Sequence, residues 1–141
     1  MCVNDAMAVR NDPQLVGFDV EAVLDIALEA TDDGVFICAE FTPEAFNILY
    51  ASAGTMERYD DVTDLEDVGE RIHGYINLDF AERGLFQDLL PPANETHAFV
   101  THTDYVTVAR VLASDDEGVY LSFEPDTDVS AVVDRVTEFL A

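Results

Sequence analysis

The chain has 141 residues, 49% of them hydrophobic, and sets 30 Asp and Glu against six Arg and no Lys, a formal net charge of −24. This content of Val, Ile, Leu and Phe excludes a disordered acidic tail; no apolar run approaches the roughly 18 residues of a membrane span. A protein that neutralises nucleic-acid phosphates needs the cations this one lacks, so one soluble globular domain is left.

Residues 1–14 have weak periodicity and end at Asn11-Asp12-Pro13. They read as a flexible leader, and residues 15–141 as a single domain. Asp19 is placed to cap a helix in which Val20, Val23, Leu24 and Ala27 share one face, with Glu21, Asp25 and Glu29 outward. Thr31-Asp32-Asp33-Gly34 ends it. Val35–Phe41 is apolar on both alternating sets, which predicts a strand covered on both sides. Thr42-Pro43-Glu44 turns the chain into a second strand, Ala45–Ala51, closed by Ser52-Ala53-Gly54. Thr63-Asp64-Leu65-Glu66 has the form of a capping box, opening a helix with Leu65, Val68, Ile72, Tyr75 and Ile76 on one face. Asp79 to Glu82 opens a second helical segment that runs to about Leu90, where Pro91-Pro92 stops it. Three strands follow: Thr96–His102, Tyr105–Leu112 and Val119–Phe123. Gly118, in the turn before the last of them, is expected to supply a positive φ. The closing helix carries an apolar stripe of Val129, Val132, Val133, Val136, Phe139 and Leu140.

The order is α-β-β-α-β-β-β-α. One mostly antiparallel five-stranded sheet with helices on both faces, a three-layer α-β-α arrangement of the α+β (α/β) class, is the economical solution. The acids are spread along the chain, at Asp32-Asp33, Asp60-Asp61, Asp64, Glu66-Asp67 and Asp115-Asp116-Glu117, rather than gathered in one tail. Their mutual repulsion opposes compaction in dilute salt and is screened in molar salt, where the Debye length is about 3 Å. In this the composition resembles cytoplasmic proteins of extreme halophiles. The N-terminus has no apolar core after a basic start, so a signal peptide is not expected and a cytoplasmic location follows. Cys38 lies in an apolar run and reads as a buried thiol; Cys2 lies in the leader.

The chemistry-bearing residues are few. His97 and His102 stand an odd number apart on one predicted strand and so face opposite ways. His73 lies on the central helix near Glu70. Metal-binding, phosphate-loop and nucleophile-elbow spacings are absent. The nearest approach to a paired carboxylate site is Asp79 with Glu82 at helical spacing, but a helix N-terminus enriched in acids explains it better. No cofactor, metal or catalytic residue is assigned. Phe36, Phe41, Phe46, Tyr50, Phe99, Tyr105, Tyr120 and Phe123 all fall on predicted strands; most read as core, and in a sensor fold some would line a ligand pocket.

In element order, from about Asp19 to Ala141, the chain resembles the roadblock family of dynein-light-chain-type and GTPase-regulator modules, within the profilin-like group. The resemblance implies a homodimer without an active site that regulates a small GTPase or scaffolds a motor complex. A PAS-like small-molecule sensor shares the two-strand, helices, three-strand order and stays open as an alternative. A small enzyme using carboxylates and His102 near Asp104 is the third. With the profilin-like strand order, the sheet edges are Ala45–Ala51 and Thr96–His102. Both lack the charges that usually guard an edge. The run Thr96, His97, Ala98, Phe99, Val100, Thr101 and His102 is therefore expected to pair with its copy across a two-fold axis. Tyr75, Ile76 and Phe80 of the adjacent helices are expected to add apolar contacts. The plainer alternative is that a loop or the leader covers an edge.

Overall fold

A strand apolar on both faces must lie between two layers, and the computed structural model, which describes residues 8–59, 61–90 and 95–141, gives Val35–Phe41 that position. In chain order the elements are β1 (Val9–Arg10), α1 (Val20–Ala30), β2 (Val35–Phe41), β3 (Phe46–Ala51), α2 (Ala53–Met56), α3 (Val62–Ile76), α4 (Leu78–Leu89), β4 (Ala98–His102), β5 (Thr107–Leu112), β6 (Gly118–Phe123) and α5 (Val129–Leu140). The strands form one sheet in the order β1-β3-β2-β6-β5-β4, with every neighbouring pair antiparallel. The expected three-layer α+β architecture is present, with six strands where five were expected. Among the described residues no helix is long and apolar enough to cross a membrane.

The two-residue period of the strands divides the core. Val119, Leu121 and Phe123 of β6 point to the layer of α1 and α5, where Val20, Val23, Leu24 and Ala27 meet Val129, Val132 and Val136. Tyr120 points the other way, joining Phe41, Ile48, Leu65 and Ile76 beneath α2, α3 and α4. Each large aliphatic or aromatic side chain buried in this way contributes about 1.5–3 kcal/mol. The four α1 residues expected on one face are those that are buried. On β2 the alternation is broken by a bulge, because Val35 pairs with Phe123 and Ile37 with Ser122. The extra residue lets Val35 and Cys38 share the α1/α5 side. The Ile37 N–H donates to the Ser122 hydroxyl at 3.1 Å, so a polar side chain inside β6 satisfies the irregular backbone.

Local chemistry departs from the expected in four places. Gly118 does not have a positive φ; among the described residues the left-handed ones are Asp32 (φ 54°) and Asp33 (φ 63°), in the turn after α1. Short acidic side chains tolerate that region. Position 118 requires glycine because an added Cβ would lie 2.9 Å from Phe41 Cζ and from Leu112 Cδ2. The proposed capping box is displaced: Asp61, not Thr63, caps α3, accepting the Asp64 N–H at 2.9 Å. An Asp two residues upstream is a strong cap and starts the helix earlier. Residues 53–56, read as a turn, form the short helix α2, with Ser52 Oγ accepting the Thr55 N–H. Tyr105, expected on a strand, stands in the β4–β5 turn with 84% of its surface exposed.

The sixth strand comes from the segment read as a leader. Residues 1–7 lie outside the described residues, but Val9 pairs with Ala51 and Arg10 with Tyr50. The Asn11 N–H continues the ladder to the Leu49 carbonyl at 2.9 Å. The expected open edge at β3 is therefore covered, and the sheet ends at β1 and β4.

Candidate interaction surface

Among the described residues β4 has one neighbour, β5, and its outer backbone groups face away from the sheet. Between Glu95 and Asp104 the chain carries no acid, so the whole rim strand is free of negative charge. Val100, Thr101 and His102 are exposed, while Ala98 and Phe99 are half-buried. Ala98 belongs to the α1/α5 side, and Phe99 packs with the core on the α3/α4 side.

α4 holds this edge in place. The Arg83 Nε–H donates to the Thr96 carbonyl at 3.2 Å, and the Thr96 N–H donates to Gln87 Oε1 at 3.2 Å. Arg83 also pairs with Asp115. Arg110 of β5 makes a two-pronged contact with Asp79, at 2.8 and 3.3 Å, and reaches the Thr101 hydroxyl of β4 at 2.7 Å. Asp79 is only 4% exposed. It is thus no half of a carboxylate pair with Glu82; its partner is a guanidinium, and together they tie the start of α4 to the edge strand. Fork-to-carboxylate geometry fixes direction as well as distance.

Beside the edge, α4 turns Leu85, Phe86 and Leu89 outward, followed by Leu90; Leu89 is 68% exposed. The Phe86 and Phe99 rings are 6.1 Å apart, so the helix ridge continues into the strand. A groove of about 400 Å³ runs between them, with Phe86 and Leu90 on one side and residues 95–99 on the other. At the other end, Tyr75 is 74% exposed. Ile76 and Phe80, expected to share in this surface, turn inward. Ile76 is buried, and the Phe80 ring lies 5.3 Å from Phe41. The α4 ridge was missed because the helix is apolar on two faces. Phe80 serves the inner one and Leu85, Phe86 and Leu89 the outer, a width visible in LDFAERGLFQDL itself.

Two of the three histidines have structural partners. His73 Nε2 lies 2.8 Å from the Thr42 carbonyl, and its ring lies 6.1 Å from that of Phe46. His102 Nδ1 is 3.2 Å from the Thr107 hydroxyl. His97 is exposed. Among the described residues no three His, Cys, Asp or Glu are grouped to hold a metal ion. Cys38 is fully buried, and burial, reinforced by the nearby Glu40 charge, pushes its thiol well above the ordinary range. It is poorly suited to act as a nucleophile.

No protein-family model matches the sequence, and no curated protein matches it significantly. Solved structures do match in fold. A protein described as MglB with tetrameric arrangement aligns over 93% of this chain and 95% of its own, with a TM-score of 0.57 and 15% identity. The gliding protein MglB from Thermus thermophilus aligns over 93% and 96%, with a TM-score of 0.55 and 15% identity. MglB of Myxococcus xanthus aligns over 90% and 97%, with a TM-score of 0.54 and 13% identity. The three-layer arrangement expected from the element order is the fold this chain has, and it is shared with these MglB structures.

Proposed function

We propose that the chain is a non-enzymatic regulatory or scaffolding module that works through protein–protein contacts. A second copy of itself is its first partner, and a small GTPase or motor component is the protein it serves. The observation that carries this reading is the acid-free β4 rim, residues 96–103, lying beside the outward ridge of Leu85, Phe86 and Leu89. Two chains of charge −24 repel each other, and a contact through a rim without acids adds least to that repulsion. An antiparallel rim against its copy forms an isologous, closed contact. The likeness in fold to MglB structures, one of which is described as tetrameric, supports an assembly role. The sensor alternative finds less support, since the aromatics that would line a chamber pack on one another: Phe41 on Phe80, and Phe46 on Tyr120 at 5.8 Å. The acid distribution supports operation in concentrated salt, in a cytoplasm.

Light scattering on the eluting protein in molar KCl tests the dimer. A mass twice the 15.5 kDa of the chain is expected, falling to one chain in Val100→Asp, which places a charge on the rim. A monomeric wild type there ends the self-pairing reading. The regulatory role is tested by retention of a small GTPase on the immobilised chain in the same salt and by a changed rate of GTP hydrolysis on its addition. Neither effect with any GTPase of the source cell would overturn it.

A further inference from the structure

The segment that covers β3 is held in an unusual way. Glu40, near the end of β2, has no exposed surface. Its carboxylate accepts the N–H groups of three consecutive residues of the covering segment: Gln14 on Oε2 at 2.6 Å, and Leu15 and Val16 on Oε1 at 2.9 and 3.0 Å. Asn47 of β3 donates its side-chain amide to Oε2 at 2.7 Å, and to the Asp12 carbonyl at 3.2 Å. Asn11 donates its side-chain amide to the Ile48 carbonyl at 2.8 Å, and the Gly17 N–H meets Glu117 at 3.0 Å. The Arg10 guanidinium lies 5.3 Å above the Tyr50 ring. Among the described residues the two cores take in this stretch at its ends, where Val9 packs on the α3/α4 side and Val16 with Phe18 on the α1/α5 side.

We infer that residues 9–17 are a guard strap on the β3 rim and that Glu40 is its latch: when the latch is disabled, the rim opens and pairs with β3 of a second copy. A buried carboxylate is held in place by its donors, and here nearly all the donors belong to the strap or to the strand beneath it. The rim it covers, Phe46–Ala51, contains no charged residue. Once uncovered, it would be an unguarded edge and free of the repulsion that keeps other parts of two such acidic chains apart. A second copy is the occupant that fits, because an antiparallel strand pairs with itself across a two-fold axis. A sheet open at both rims can grow without end, whereas one with a latched rim stops. The inference does not depend on what the β4 rim does, since it is read relative to the wild-type mass, whatever that mass is.

The test uses the full chain in molar KCl, as wild type, Glu40→Gln and Asn11→Pro. E40Q keeps the shape of the side chain but turns an amide NH2 toward donors. N11P removes the Asn11 N–H and amide contacts on the exposed strap without touching the core. Hydrogen exchange read by mass spectrometry should show the amides of residues 14–16 opening at least about tenfold faster in E40Q, the effect of losing one hydrogen bond to a charged group. Sedimentation should show each folded variant as a species of at least twice the wild-type mass. Unchanged exchange at residues 9–16 in a folded variant refutes the latch. Faster exchange with the wild-type mass retained refutes the guard. If E40Q does not fold, N11P alone decides the guard by the same two readings. A monomeric wild type would end the β4 reading and leave this one standing, with the variants then dimeric.

Discussion

Removing the Asp79 carboxylate would leave Arg110 as a buried cation without its partner. The Arg110 side chain is 13% exposed and that of Asp79 6%, so solvent screens neither effectively. Breaking a buried pair from one side costs about 3–5 kcal/mol, because the abandoned charge stays desolvated. Thr101 offers Arg110 a single hydroxyl at 2.7 Å, which does not replace a carboxylate held at two points. Asp79→Ala is therefore expected to lose about 3 kcal/mol in urea unfolding followed by circular dichroism, in molar KCl. Arg110→Met should lose a similar amount. The double variant Asp79→Leu with Arg110→Met should lose much less than the sum, since an apolar pair of similar volume often replaces a buried ion pair at little cost. If Asp79→Ala costs less than about 1 kcal/mol, or if the two losses simply add, the pair does not anchor α4 to the sheet as described.

Gly118→Ala should destabilise the protein by about 1–3 kcal/mol, since Phe41 and Leu112 must give way in a packed core; an unchanged melting temperature would show that they yield freely. Burial, with Tyr59 adding to it and Arg110 opposing it, pushes the Tyr120 hydroxyl up to about 12. Its unfolded counterpart ionises near 10, so the stability it contributes is complete below about pH 10 and is lost as pH rises towards 12; Tyr120→Phe should flatten that decline in denaturant titrations. In a Cys2→Ser background, Cys38 should react with a thiol reagent only as fast as the protein unfolds, and prompt labelling of the native protein would contradict its burial. Raising KCl from tenths molar to molar should raise the melting temperature, as the screening length shrinks from about 10 Å to about 3 Å; a flat or falling response would mean the −24 charge does not strain the fold.

Much of the architecture was legible because period and hydropathy coincide. Val20, Val23, Leu24 and Ala27 could lie on no other face, and the apolar run of β2 required two covering layers. What was lost depended on single partners distant in sequence. The residues around Gly118 have the composition of a turn, while the pressure on it comes from Phe41, far back in the chain on β2. Thr63 and Asp61 both make acceptable caps, and only the backbone selects between them. The strap was missed because two paired residues, Val9 and Arg10, give no periodic signal. There was, however, a trace: a lone acid, Glu40, inside a run otherwise buried on both sides needs several donors close at hand, and something other than the sheet must bring them. For the interaction surface, the uncharged interval from 96 to 103 was visible in the sequence, as was the longer one from 45 to 56 that includes β3. The ridge of Leu85, Phe86 and Leu89 did not, because its signal was merged with that of the inner face of α4.

The middle of the sheet joins β2 to β6, strands whose bulge contact, Ile37 with Ser122, spans 85 positions. Neither hairpin alone can complete the centre, so the transition state must bring the two halves together before burial rewards either. Folding should therefore be slow for a chain of this size and close to all-or-none, and mutations along the β2–β6 seam should retard refolding more than equally destabilising changes at either rim.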